Sequence, residues 1–133
     1  MTSILVVQED PRGRALLCRW LEQAGHEARE APDAAQAARR LSAWPPDVLV
    51  VDTGPSYREG MELLAAVLAD LTLPAVRTIV ITAEGALAAH AEDLGADFLA
   101  RPVLRESFLE AIERNLRAAP PELPPIGYES ARR

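Results

Sequence analysis

Along the chain, short apolar runs and longer segments of helical periodicity take turns. Ile4–Val7, Asp47–Val51 and Thr78–Ile81 are rich in Val and Ile and do not alternate with polar residues, the pattern of strands buried on both faces. His26–Glu30 and Phe98–Ala100 are more polar or shorter, as edge strands are. Between them lie five helical patterns. Leu17, Leu21 and Ala24 share a face of the first, and Gly25 follows where a cap belongs. Asp33 with Gln36 three residues on is a capping box opening Ala34–Leu41. Leu64, Val67 and Leu68 mark the third helix; Leu87, Ala91 and Leu94 the fourth, stopped by Gly95; Leu109, Ile112 and Leu116 the fifth. Five strand-then-helix units predict an α/β domain with a parallel sheet and right-handed crossovers. With the most apolar strands central, the order is 2-1-3-4-5, the doubly wound flavodoxin-like arrangement.

Composition narrows the function classes. The 133 residues suit one domain, expected over 1–118, and four prolines in the segment after Ala118 predict a tail or linker stub over 119–133. With Met1 directly before the first strand, no folded unit is expected upstream, and no output domain is expected in the chain. A net charge of −6 opposes nucleic-acid binding. All fourteen basic residues are Arg, which removes lysine-based chemistry. No apolar stretch is long enough to span a bilayer and no signal segment precedes the first strand, so a reducing cytoplasm is the expected compartment. The single Cys18, among Leu16, Leu17 and Leu21, reads as a buried, inert thiol. His26 and His90 read as surface residues, Trp20 and Trp44 as covers for the core rim.

In open α/β sheets, sites form beyond the carboxyl ends of the strands, where the strand order reverses. Here those ends carry Gln8-Glu9-Asp10, Asp52, Thr82-Ala83 and Arg101-Pro102. Carboxylates, a hydroxyl and a cation would share one crevice. Asp52 closes a buried run, where a charge needs a partner. Asp10 before Pro11 reads as a helix cap in preference to a metal ligand.

The segments ILVVQEDP, PDVLVVDTGPSYREGMELL, TIVITA and GADFLARP, with Gly60 eight residues after Asp52, resemble those of response-regulator receiver domains over residues 3 to 118. The resemblance implies that Asp52 accepts a phosphoryl group from a sensor histidine kinase or phosphotransfer protein. It implies that Glu9, Asp52 and the Gly54 carbonyl hold Mg²⁺, with Gln8 touching it through water and Asp10 as a further candidate. It makes Thr82 the switch hydroxyl, Ala83 the small residue beside it and Phe98 the switch aromatic. Arg101 stands where the family has lysine, before a cis bond to Pro102. The fourth helix, fifth strand and fifth helix are the surface expected to meet a partner or a second copy.

The departures point one way. The family has two acids after the first strand, whereas here Gln8 contributes no charge and Glu9 is a methylene longer than aspartate. Arg101 is a planar, permanently protonated fork that pairs bidentately with carboxylates. Glu9, Asp52 and Arg101 sum to −1, so weak Mg²⁺ binding and an Arg101–Asp52 pair are expected. Two versions of the module follow: a phosphorylation-dependent switch with impaired transfer, or a pseudo-receiver that acts as an interaction module. A flavodoxin-like binder of a small ligand is the reading from another class. It is disfavoured because QEDPRG replaces the glycine-rich phosphate loop.

Overall fold

The structure, a computed structural model, describes residues 2–53, 57–70, 72, 73, 75–83, 89 and 91–118. Strands β1 (Ser3–Val7), β2 (Glu27–Ala31), β3 (Val48–Asp52), β4 (Arg77–Thr82) and β5 (Asp97–Ala100) form one parallel sheet in the order β2-β1-β3-β4-β5. The helices are α1 (Pro11–Gln23), α2 (Ala34–Ala43), α3 (Tyr57–Ala69), α4, described over residues 91–93, and α5 (Arg105–Arg117). The predicted fold and order are observed. Leu87 and His90, the start of the fourth helical pattern, and the tail 119–133 fall outside the described residues.

Alternation along the strands divides the core. Ile4, Val6, Val48, Val50, Ile79 and Ile81 face α1 and α5, against Leu17, Leu21, Phe108 and Ile112. Leu5, Val7, Leu49 and Val51 face the other way, onto Ala37 and Leu41 of α2 and Leu63 and Val67 of α3. Both faces of β1 and β3 are thus buried, which is why their sequences do not alternate. Cys18 is buried in the first cluster, and burial pushes its thiol up to about 12.

Local chemistry ends the helices where the sequence indicates. Asp10 accepts from the Arg12 and Gly13 amides, and Asp33 accepts from the Gln36 amide at 2.8 Å. Gly25 and Gly95 take positive φ (93° and 90°), the left-handed turn that follows a helix. Trp20 packs on Phe108, and Trp44 lies under the Arg29 guanidinium. His26 corrects an expectation: its side chain is only 8% exposed, with Nε2 3.3 Å from Glu113 of α5. It precedes β2 in the turn after α1, where α5 packs over it.

Candidate functional site

Register decides which side chains meet. Val7 is level with Val51, so the next residues, Gln8 and Asp52, stand side by side on adjacent strands. Both continue the rows that face α1 and α5, and their side chains leave the sheet on one side. Gln8 Nε2 donates to Asp52 Oδ2. Arg101, one residue past β5, donates through Nη2 to Asp52 Oδ1 and to the Thr53 carbonyl. Both carboxylate oxygens of Asp52 are therefore engaged by donors of the chain itself.

The surroundings fix this arrangement. Thr53 donates through its amide and its hydroxyl to the Ile81 carbonyl, at 2.8 and 3.1 Å, tying the end of β3 to β4. Gly60 lets α3 lie close, since a β-carbon there would come 3.0 Å from Val51 and 3.2 Å from Thr53. Arg14 donates to the Gln8 carbonyl at 2.7 Å and pairs with Glu30 at 2.8 Å, bracing the loop after β1. The bond between Arg101 and Pro102 is cis.

Asp52 is 7% exposed, and burial pushes its carboxyl up from 3.8 to about 6. The Arg101 charge opposes that rise, the Asp10 carboxylate adds to it, and the Gln8 hydrogen bond opposes it. A buried carboxylate raised in this way by desolvation, in a crevice and beside a cation, is a candidate for chemistry or recognition.

The structure gathers Gln8, Asp52 and Arg101 into one bonded group. Glu9 is exposed and lines, with Gln8, Asp33, Asp52 and Glu59, a cavity of about 100 Å³. Asp10 acts as the α1 cap. Thr82 is buried at the end of β4, Ala83 beside it is exposed, and Phe98 is half-buried on β5. On the α1 side of Asp52 a groove of about 440 Å³ opens between α1 and the segment after β5. Leu16, Trp20 and Val103 wall it, and Arg101 sits at its polar end. Leu16, an exposed large hydrophobic residue, is part of this wall.

Mg²⁺ requires near-octahedral oxygen ligands, one or two of them carboxylates. The described residues do not fit it. Gln8 turns a nitrogen to Asp52 and its oxygen to the Asp10 amide, and both Asp52 oxygens have donors. Among the described residues no three His, Cys, Asp or Glu side chains could together hold a metal. Gly54 lies outside the described residues.

Three contributors escaped the reading of strand ends: Gly13, Arg14 and Thr53. Thr53 directly follows Asp52 and offered a visible signal. Gly13 and Arg14 sit inside α1 and act through its inner face, where a glycine in the first helical turn was the available clue.

A five-stranded parallel sheet with this crevice beyond its carboxyl edge is a doubly wound α/β domain with its site at the strand ends. The chain belongs to the response regulator receiver domain family, whose model matches residues 4–113. It is 31% identical over 137 residues to the transcriptional regulatory protein KdpE of Mycobacterium tuberculosis, covering 98% of this chain and 59% of that protein. It is 32% identical to a 14.6 kDa protein of Leptolyngbya boryana, covering 90% of this chain and 94% of that one. The chain thus spans about three fifths of the length of KdpE. Among solved structures, chemotaxis protein CheY4 of Vibrio cholerae shares the fold with a TM-score of 0.79 at 24% identity, over 87% of this chain and 99% of that one. A response regulator from Chloroflexus aurantiacus does so with 0.81 at 23%, over 88% and 98%. Among the described residues no helix is long and apolar enough to cross a membrane.

Proposed function

We propose that this receiver domain serves two-component signalling in the cytoplasm as an interaction module whose phosphotransfer at Asp52 is impaired. One observation carries the reading: Asp52 Oδ1 is bound by Arg101 and Oδ2 by Gln8. A carboxylate that accepts a phosphoryl group needs an oxygen free to attack phosphorus and positive charge on the equatorial oxygens. Here the attacking oxygens are hydrogen-bonded, and the nearby cation is paired with the nucleophile instead of the incoming group. Gln8 supplies no charge to draw a metal. Arg101 and Gln8 hold the pocket in one state, and the surface it presents is what a partner reads.

The partner is a sensor histidine kinase, a phosphotransfer protein or a second copy of the chain. It docks on the groove beside α1 or on the face of α4, β5 and α5. A second reading, the phosphorylation-dependent switch, is favoured by the 34% exposure of the Arg101 side chain. That exposure leaves Arg101 able to turn from Asp52 to a phosphoryl group, with Thr82 and Phe98 following.

Incubation with acetyl phosphate, with and without millimolar Mg²⁺, decides between them by intact mass. No aspartyl phosphate and no effect of Mg²⁺ are expected. Prompt stoichiometric phosphorylation of Asp52 overturns the proposal in favour of the switch.

A further inference from the structure

The first turn of α1 is arranged around the Gln8 side chain. Gln8 Oε1 accepts the Asp10 amide at 3.4 Å, and Arg14 holds the Gln8 carbonyl at 2.7 Å. The Asp10 carboxylate in turn accepts from the Arg12 and Gly13 amides, at 3.3 Å each. With Oε1 turned to Asp10, Nε2 is the end left to face Asp52. A carboxylate only accepts, so it needs that end.

Gly13 completes the seat. Glycine is among the poorest helix formers, so its place inside α1 calls for a local reason. Backbone conformation is not that reason, because the positive-φ glycines among the described residues are Gly25 and Gly95. Space is. A β-carbon at position 13 would stand 3.0 Å from Gln8 Nε2 and 3.4 Å from Asp10 Oδ2. The first separation is tighter than ordinary contact, so a methyl group at position 13 would press the Gln8 amide, bonded on its other side to Asp52, to shift by a few tenths of an ångström.

We propose that Gly13 is the positioning residue of the Asp52 pocket: by lacking a side chain it seats the Gln8 amide on Oδ2, where that amide stands in for a metal contact. The state of Asp52 is then set from the first turn of α1. This inference deepens the metal-independent reading above and rests on it for its biological meaning, but its test is separate.

The test is the Gln8 side-chain amide in the full chain, read by ¹⁵N–¹H spectra and hydrogen exchange. In the wild type its protons are expected to be shifted downfield and to exchange at least about tenfold more slowly than those of the exposed Gln23. In Gly13→Ala that protection falls to the Gln23 level while the backbone spectrum of the sheet is retained. Alanine favours helix, so the variant folds; circular dichroism checks this. Gln8→Ala removes the signal and fixes its assignment. Retention of Gln8 protection in Gly13→Ala overturns the proposal, as does an unprotected Gln8 in the wild type. Phosphorylation of the wild type by acetyl phosphate instead overturns the functional reading, and leaves the Gln8 exchange result to decide the role of Gly13 alone.

Discussion

Replacing Asp52 by asparagine is expected to stabilise the domain at neutral pH. The carboxyl is 7% exposed, and burial raises it from 3.8 to about 6 against the pull of Arg101 and Gln8. A group whose folded value lies above its unfolded one contributes stability that is complete below the unfolded value and is lost as pH rises through the folded value. At pH 7.5 that contribution is gone, and the ionised carboxylate costs the fold about 3 kcal/mol relative to the protonated one. The asparagine side chain avoids this cost but turns its NH₂ toward one of the two donors, which returns part of it. Arg101, 34% exposed, can then hydrate. The net gain expected for Asp52→Asn at pH 7.5 is about 1–2 kcal/mol, or about 5 °C in Tm for a domain of this size. Lowering the pH to 5 protonates Asp52 in the folded wild type and narrows the gap by about 1 kcal/mol. Thermal unfolding of both proteins, followed by circular dichroism at pH 7.5 and 5, measures the two differences. A variant less stable than wild type at pH 7.5, or a gap that does not narrow, refutes the claim that burial dominates this carboxyl.

The pocket and the core make further predictions. Gln8→Asp combined with Arg101→Lys brings back a second acid and a flexible cation, and should tighten Mg²⁺ binding at least about tenfold by calorimetric titration; an unchanged affinity contradicts the charge argument. Gly60→Ala places a β-carbon 3.0 Å from Val51, and the overpacking should cost about 1–3 kcal/mol, seen as a lower urea midpoint. Phe108→Ala empties a fully buried site beside Trp20 and should cost about 3–5 kcal/mol, with red-shifted Trp20 emission as the ring contact is lost. Asp33→Ala removes the α2 cap and should cost about 1 kcal/mol by the same denaturant assay; no change argues that the Gln36 amide finds water instead.

Local chemistry was legible in the chain. Val/Ile runs gave β1, β3 and β4, and the caps Asp10, Asp33, Gly25 and Gly95 act where their types and spacing placed them. Strand β2 was legible more faintly. Its EAREA sequence is polar, and pairing with β1 along its whole length, not propensity, makes it a strand. The contacts that escaped are those created by packing. His26 was expected at the surface, yet Glu113, far along the chain, arrives with α5 and covers it. The Arg101–Asp52 pair was anticipated because both residues end strands. The direct bond from Gln8 was not, because it depends on register and on the space left by Gly13, and neither is written in the strand-end motifs.

The buried Cys18 has a practical reach beyond the core it helps fill. Its thiol is pushed up to about 12, and the chain has no other cysteine and no lysine. Native side chains therefore offer almost nothing to maleimides or amine-reactive esters, and the α-amino group is the main exception. A cysteine introduced on any exposed turn becomes the single addressable thiol with no background to remove. Two such cysteines, one on each side of the groove beside α1, would carry paired spin or fluorescent labels that report directly whether a partner closes on it.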